Sequence, residues 1–111
     1  MGDIAIQVTR EGLSEAELRA AVVSDPEVQQ AGESLLLLGK YRIQLEELDP
    51  GEWTIKLLDY GDLGSEFPFD RLYLHLEETT NWGLWTEYDD LYDFYKAEGI
   101  LEKRREPPLA A

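Results

Sequence analysis

The chain has one histidine, His75, and serines at 14, 24, 34 and 65; nucleophilic catalysis would have to be built from these. That chemistry needs the imidazole within hydrogen-bond reach of a hydroxyl, with donors nearby for an oxyanion. None of the serines sits in the Gly-x-Ser-x-Gly form of a nucleophile elbow. In the run Leu72-Tyr73-Leu74-His75-Leu76-Glu77 the histidine alternates with the leucines and shares a face with Tyr73 and Glu77, so it reads as a surface residue of a strand. A single histidine without cysteine also makes a poor zinc site.

Residues 59–70, Asp-Tyr-Gly-Asp-Leu-Gly-Ser-Glu-Phe-Pro-Phe-Asp, have the length of a calcium loop, with Gly64 at the sixth position and Asp70 at the twelfth. The third and fifth positions are Gly61 and Leu63, which carry no side-chain oxygen. A small enzyme or calcium-dependent module around this stretch is therefore the alternative, and a surface loop with Phe67 and Phe69 tucked under a sheet is preferred. Gly61 and Gly64 make no phosphate loop, since no Gly-Lys-Ser/Thr follows. With 24 carboxylates, some pair always falls at a glycosidase-like separation, so that spacing carries no information. The expectation is a protein with no catalytic residues, no metal and no cofactor.

Recognition chemistry is better represented. Between Trp82 and Tyr95 the chain places six aromatic rings and four carboxylates with no Lys or Arg among them. Read as a helix, Leu84, Tyr88, Leu91 and Tyr95 form one stripe, Trp85 and Tyr92 flank it, and Trp82 stands at the entrance. Thr86, Asp90 and Asp93 fall on the polar side, with Glu87 and Asp89 beside them. Exposed Trp and Tyr bordered by carboxylates have the chemistry of a binding hot spot with a steering rim. The expected partner-binding residues are Trp82, Trp85, Glu87, Asp89, Asp90, Tyr92 and Asp93, joined by Glu77 and Glu78. Apart from His75, no basic residue interrupts the stretch from Arg71 to Lys96.

Composition sets the frame for these residues. A chain of 111 residues, 43% hydrophobic and 11% aromatic, is long enough for one core. The net charge of −14 is not confined to a tail, and it repels nucleic acid and anionic membrane. It favours a basic protein surface, including that of a nucleic-acid-binding protein, or serves solubility. The absence of cysteine excludes disulfides and thiol chemistry. No basic n-region or long apolar run follows Met1-Gly2-Asp3, so a cytoplasmic location is the expectation.

The elements that would position these residues follow from periodicity and punctuation. Ile4, Ile6 and Val8 alternate with Ala5, Gln7 and Thr9 and predict a half-buried strand. Ser14 with Glu17 forms a capping box and Leu13 can staple to Leu18, so a helix is expected over 15–23. Asp25-Pro26 restarts the pattern as a second short helix ending near Gly32. A long hairpin is expected over 35–48 and 52–59, turning at Asp49-Pro50-Gly51. A further strand is expected over 72–77, then a closing helix capped by Asn81 or Thr86 and stopped near Gly99. Residues 103–111 read as a mobile charged, proline-bearing tail.

The order predicts a single α+β domain over 1–102. It has an antiparallel sheet of about four strands, with an N-terminal helix or two short helices and a C-terminal aromatic helix on one face. The function expected of it is that of a non-catalytic interaction protein, acting as an inhibitor or immunity-like DNA mimic of phage or bacterial type. The alternative is an accessory or adaptor subunit. For mimicry, carboxylates spaced by ~5.4 Å per helical turn or ~6.7 Å along a strand approximate phosphate spacing.

Overall fold

The structure is a computed structural model and describes residues 4–32, 35–39, 41–58, 68–88 and 104–106. Ile6 and Val8 are buried as their alternation requires, in β1 (Ile4–Thr9). Ser14 caps the start of the next element: its oxygen accepts from the Glu17 N–H at 3.2 Å and its O–H donates to the Glu17 carboxylate. The helix α1 (Glu15–Val23) follows, with Leu13, Leu18 and Val22 buried.

The expected second short helix is a strand instead. Asp25 does cap, accepting from the Glu27 N–H at 2.9 Å, but the turn closes when the Val28 N–H donates to the Asp25 carbonyl. The chain then enters β2 (Val28–Gln30), which pairs with β3 (Leu36–Leu38). Only Val28 is apolar between Pro26 and Gln30, too little for a helical face, whereas the leucines of β3 need a paired neighbour.

The hairpin expected over 35–59 is present, but Gly39, at a φ of 61°, breaks its first arm into β3 and β4 (Tyr41–Asp49). Its second arm is β5 (Glu52–Leu58). Between β4 and β5, Pro50 and Gly51 make the turn, and Gly51 takes a φ of 80°. A Cβ there would lie 2.7 Å from the Arg10 carbonyl oxygen, so this tip packs against the β1–α1 connection.

Residues 72–77, expected as a strand, belong to a helix, α2 (Pro68–Thr79). Alternation of Leu72, Leu74 and Leu76 is compatible with both periods, and Phe69 and Tyr73 decide between them. Phe69, Leu72, Tyr73 and Leu76 are buried at i, i+3, i+4 and i+7, while Leu74 is 45% exposed. Each of these buried side chains contributes roughly 1.5–3 kcal/mol, which holds the segment helical. Pro68 stands at the first helical position, where its missing N–H costs nothing.

The start of the expected closing helix is likewise a strand, β6 (Gly83–Tyr88). Leu84 and Thr86 are buried while Trp85 between them is exposed, the period of a strand. The open edge of β1 pairs with all six residues of β6, and this pairing overrides the helical spacing. Arg104–Arg105, inside the expected tail, form the two-residue strand β7 against Leu84 and Trp85. Apart from Glu106, the remainder of the closing helix and of the tail lies outside the described residues.

Among the described residues all pairings are antiparallel, and the sheet order is β2-β3-β4-β5-β1-β6-β7: six strands and a short edge strand, where about four were expected. The fold is α+β, with two helices among the described residues. Registers place Ile6, Val8, Ile43, Trp53, Ile55, Leu57 and Leu84 on one face, where they form a single core with the buried residues of α1 and α2. The other face carries Gln7, Thr9, Gln44, Glu46, Thr54, Lys56 and Trp85. No helix among the described residues is long and apolar enough to cross a membrane.

Candidate functional site

The packing of α1 on α2 brings Ser24 Oγ within 2.7 Å of His75 Nε2. His75 is half-buried on a helix rather than exposed on a strand. The serine hydroxyl has one proton and also lies 2.6 Å from the Ala21 carbonyl, which can only accept. When that proton goes to Ala21, Ser24 Oγ is left to accept from His75 in the tautomer that carries its proton on Nε2. The N–H groups of Ser24 and Asp25 are committed to Ala20 and Val22, and neither faces an oxyanion. The pair ties the C-terminus of α1 to α2.

The described carboxylates are distributed over several elements. Glu17 pairs with Arg10 at 2.7 Å, Lys56 with Glu46 at 2.8 Å, and Arg19 and Arg71 with Glu15 and Glu27. The hydrogen bond from Arg10 holds the Glu17 carboxyl below its ordinary range, against the opposing effect of partial desolvation. Glu47, Asp49 and Glu52 stand exposed at the β4–β5 tip, and Glu77 and Glu78 stand exposed on α2. No group of three or more metal-ligating side chains forms among the described residues. Residues 59–67 of the calcium-length loop lie outside them.

The two described tryptophans of the expected recognition stretch have opposite fates. Trp82 is 7% exposed, with the Arg10 guanidinium 5.7 Å from its ring centroid. This is a cation–π contact that belongs to the body of the fold. Trp85 is 47% exposed on the sheet face away from the helices, in register with Gln7, Thr54 and Glu46. Beside it a depression of about 80 Å³ is lined by Gln7, Thr9, Gly83, Arg105 and Glu106. Glu77 and Glu78 project from α2, so they do not share the Trp85 face. Glu87 lies in β6, two residues beyond Trp85. Asp89, Asp90, Tyr92 and Asp93 lie outside the described residues.

Arg105 is the residue that sequence reasoning missed. From β7 its Nε donates to the Trp82 carbonyl at 3.0 Å and its Nη1 to the Glu77 carbonyl at 2.6 Å. Nη2 reaches the Thr80 carbonyl at 3.0 Å and Thr80 Oγ1 at 3.2 Å. Helix α2 has no basic residue in its last turn, and Arg105 supplies the cation that its C-terminal carbonyls favour. Beneath this contact the Tyr73 hydroxyl is pushed above its usual range by burial and by Glu77, with Arg105 opposing. The available signal was a helix end without a cation and an arginine pair beyond it, legible only once 68–79 is read as helical.

The chain matches no protein-family model, no curated protein and no solved structure.

Proposed function

We propose that this protein is a non-catalytic, acidic interaction protein that docks on a basic protein surface through the β6 side of its sheet, centred on Trp85. The observation that carries the reading is a tryptophan held half-exposed in mid-strand on a chain of charge −14. A strand flanked by β1 and β7 presents the indole with little freedom left to lose on binding, the property of an anchor residue. The surrounding negative field steers a basic partner toward it.

Of the two versions of this function, the adaptor or accessory subunit has more support than the DNA mimic. A mimic needs carboxylates in rows on one face, whereas those described are spread over α1, the β4–β5 tip, α2 and the sheet. Several of them are paired with cations of the same chain. The acidity then serves recognition and solubility together.

The test is capture of binding proteins from a cell lysate by immobilised wild type and Trp85→Ala at low and high salt. The expected result is a set of basic proteins held by the wild type at low salt and lost from the variant, with both chains melting alike. Equal capture by the two chains would overturn the reading.

A further inference from the structure

The end of α2 and the turn that follows form a seat for a guanidinium. The carbonyls of Glu77, Thr80 and Trp82 converge on it, together with Thr80 Oγ1. Three of these four acceptors are backbone oxygens, so the turn itself shapes the seat. Its geometry suits a planar fork of N–H donors, and an ammonium cannot reach all of them at once. In this chain Arg105 fills the seat. It is delivered by the shortest of ladders, Leu84 opposite Arg105 and Trp85 opposite Arg104.

We propose that β7 occupies, in cis, the place of an arginine-bearing extended segment of a basic partner protein, and that the partner binds by displacing β7 from β6. This deepens the interaction reading above and rests on it. Three observations converge. First, β6 pairs with β1 along its whole length and is a fixed template, whereas among the described residues β7 covers it at two positions. Displacing those two pairs gives up little backbone pairing, which an added strand replaces. Second, the exposed Glu77 and Glu78 flank the seat on a chain of charge −14, which favours an arginine segment over a neutral one. Third, adjacent strand residues point to opposite faces. A segment that seats one arginine among the α2 carbonyls places its neighbour opposite Trp85, over the depression lined by Gln7, Thr9 and Glu106. A second cation there would meet the indole face.

A cis segment competes at an effective concentration on the order of millimolar, so the intact chain should bind such a segment weakly. The probe is a fluorescein-labelled peptide Glu-Lys-Arg-Arg-Glu-Pro, the sequence of residues 102–107, titrated by anisotropy at low salt into full-length wild type and Arg105→Ala. The expected result is at least a tenfold tighter complex with Arg105→Ala. The gain should vanish when the second arginine of the peptide is replaced by lysine. Equal affinity for the two chains, or equal binding of the lysine peptide, overturns the proposal.

Should Arg105→Ala fail to fold, the ¹⁵Nε–H resonance of Arg105 in the wild type reports the same event. Excess peptide should move it from its carbonyl-bound position to that of a free arginine, and an unmoved resonance overturns the proposal. The two readings fail separately. Peptide binding as expected, with equal lysate capture by wild type and Trp85→Ala, removes the function and keeps the seat. Loss of capture by Trp85→Ala, with a peptide indifferent to Arg105, removes the seat and keeps the function.

Discussion

The indole N–H of Trp53 donates to the backbone carbonyl of Leu13 at 3.0 Å, across forty residues of chain. Both residues are buried, so the bond fixes the connection between β1 and α1 onto β5 without help from water. The Gly51 carbonyl accepts from the Arg10 N–H at 2.9 Å and secures the same connection from the hairpin tip. Trp53→Phe keeps most of the ring volume and leaves the Leu13 carbonyl without its indole donor. A loss of about 1–3 kcal/mol is expected, the cost of a buried polar group left unsatisfied. Urea midpoints of the two chains measure it, and a loss near zero would mean that water replaces the indole.

Thr54 predicts the opposite sign. Its side chain is 1% exposed on the sheet face opposite α1 and α2, and among the described residues its hydroxyl has no hydrogen-bond partner. Thr54→Val has nearly the same shape, keeps the β-branched side chain that a strand prefers and removes the orphaned group. A gain of roughly 1 kcal/mol in unfolding free energy is expected. Denaturant melts that show the variant weaker than the wild type would mean the hydroxyl is satisfied in solution.

Legibility in the sequence divided along a physical line. Where a local device and a period agreed, as in the Ser14 cap before Leu18 and Val22 or the Pro50-Gly51 turn between β4 and β5, the element was readable residue by residue. Where a short apolar alternation fits two periods, as at Leu72-Leu74-Leu76, local information was insufficient and burial of Phe69 and Tyr73 decided for the helix. The segment after Trp82 has helical spacing, yet an unpaired β1 edge outweighs it, because satisfying a whole ladder is worth more than one stripe. The sequence left open whether Trp85 is core or exposed, because its helical spacing served both readings and its strand neighbours decide the matter. The role of Arg105 was not legible, since it depends on two segments far apart in the chain.

The contrast between Trp82 and Trp85 gives a direct test of that assignment. Trp82 is buried and stacked beneath Arg10, so Trp82→Ala should cost about 3–5 kcal/mol of stability. Trp85 is half-exposed, and Trp85→Ala should cost less than about 1.5 kcal/mol, mainly lost strand packing. Paired thermal and denaturant melts check both values. Equal losses would place Trp85 in the core and remove it as a docking anchor.

The Arg10–Glu17 pair makes stability depend on pH in a defined direction. Its hydrogen bond holds the Glu17 carboxyl below the ordinary value, so the folded state binds that proton less readily than the unfolded chain. The stabilisation is present above the ordinary carboxylate value and is lost as pH falls through the lower folded value. Glu17→Gln isolates this effect, because the amide oxygen can still accept from the Ser14 hydroxyl while the charge is gone. At neutral pH the variant should be the less stable chain, and the gap should close as pH falls through about 4 and below. Molar salt should narrow the gap at neutral pH, since both partners are partly exposed. Urea midpoints from acid to neutral pH supply the measurement. A gap that persists unchanged in acid would show that Glu17 acts through its cap and packing rather than through Arg10.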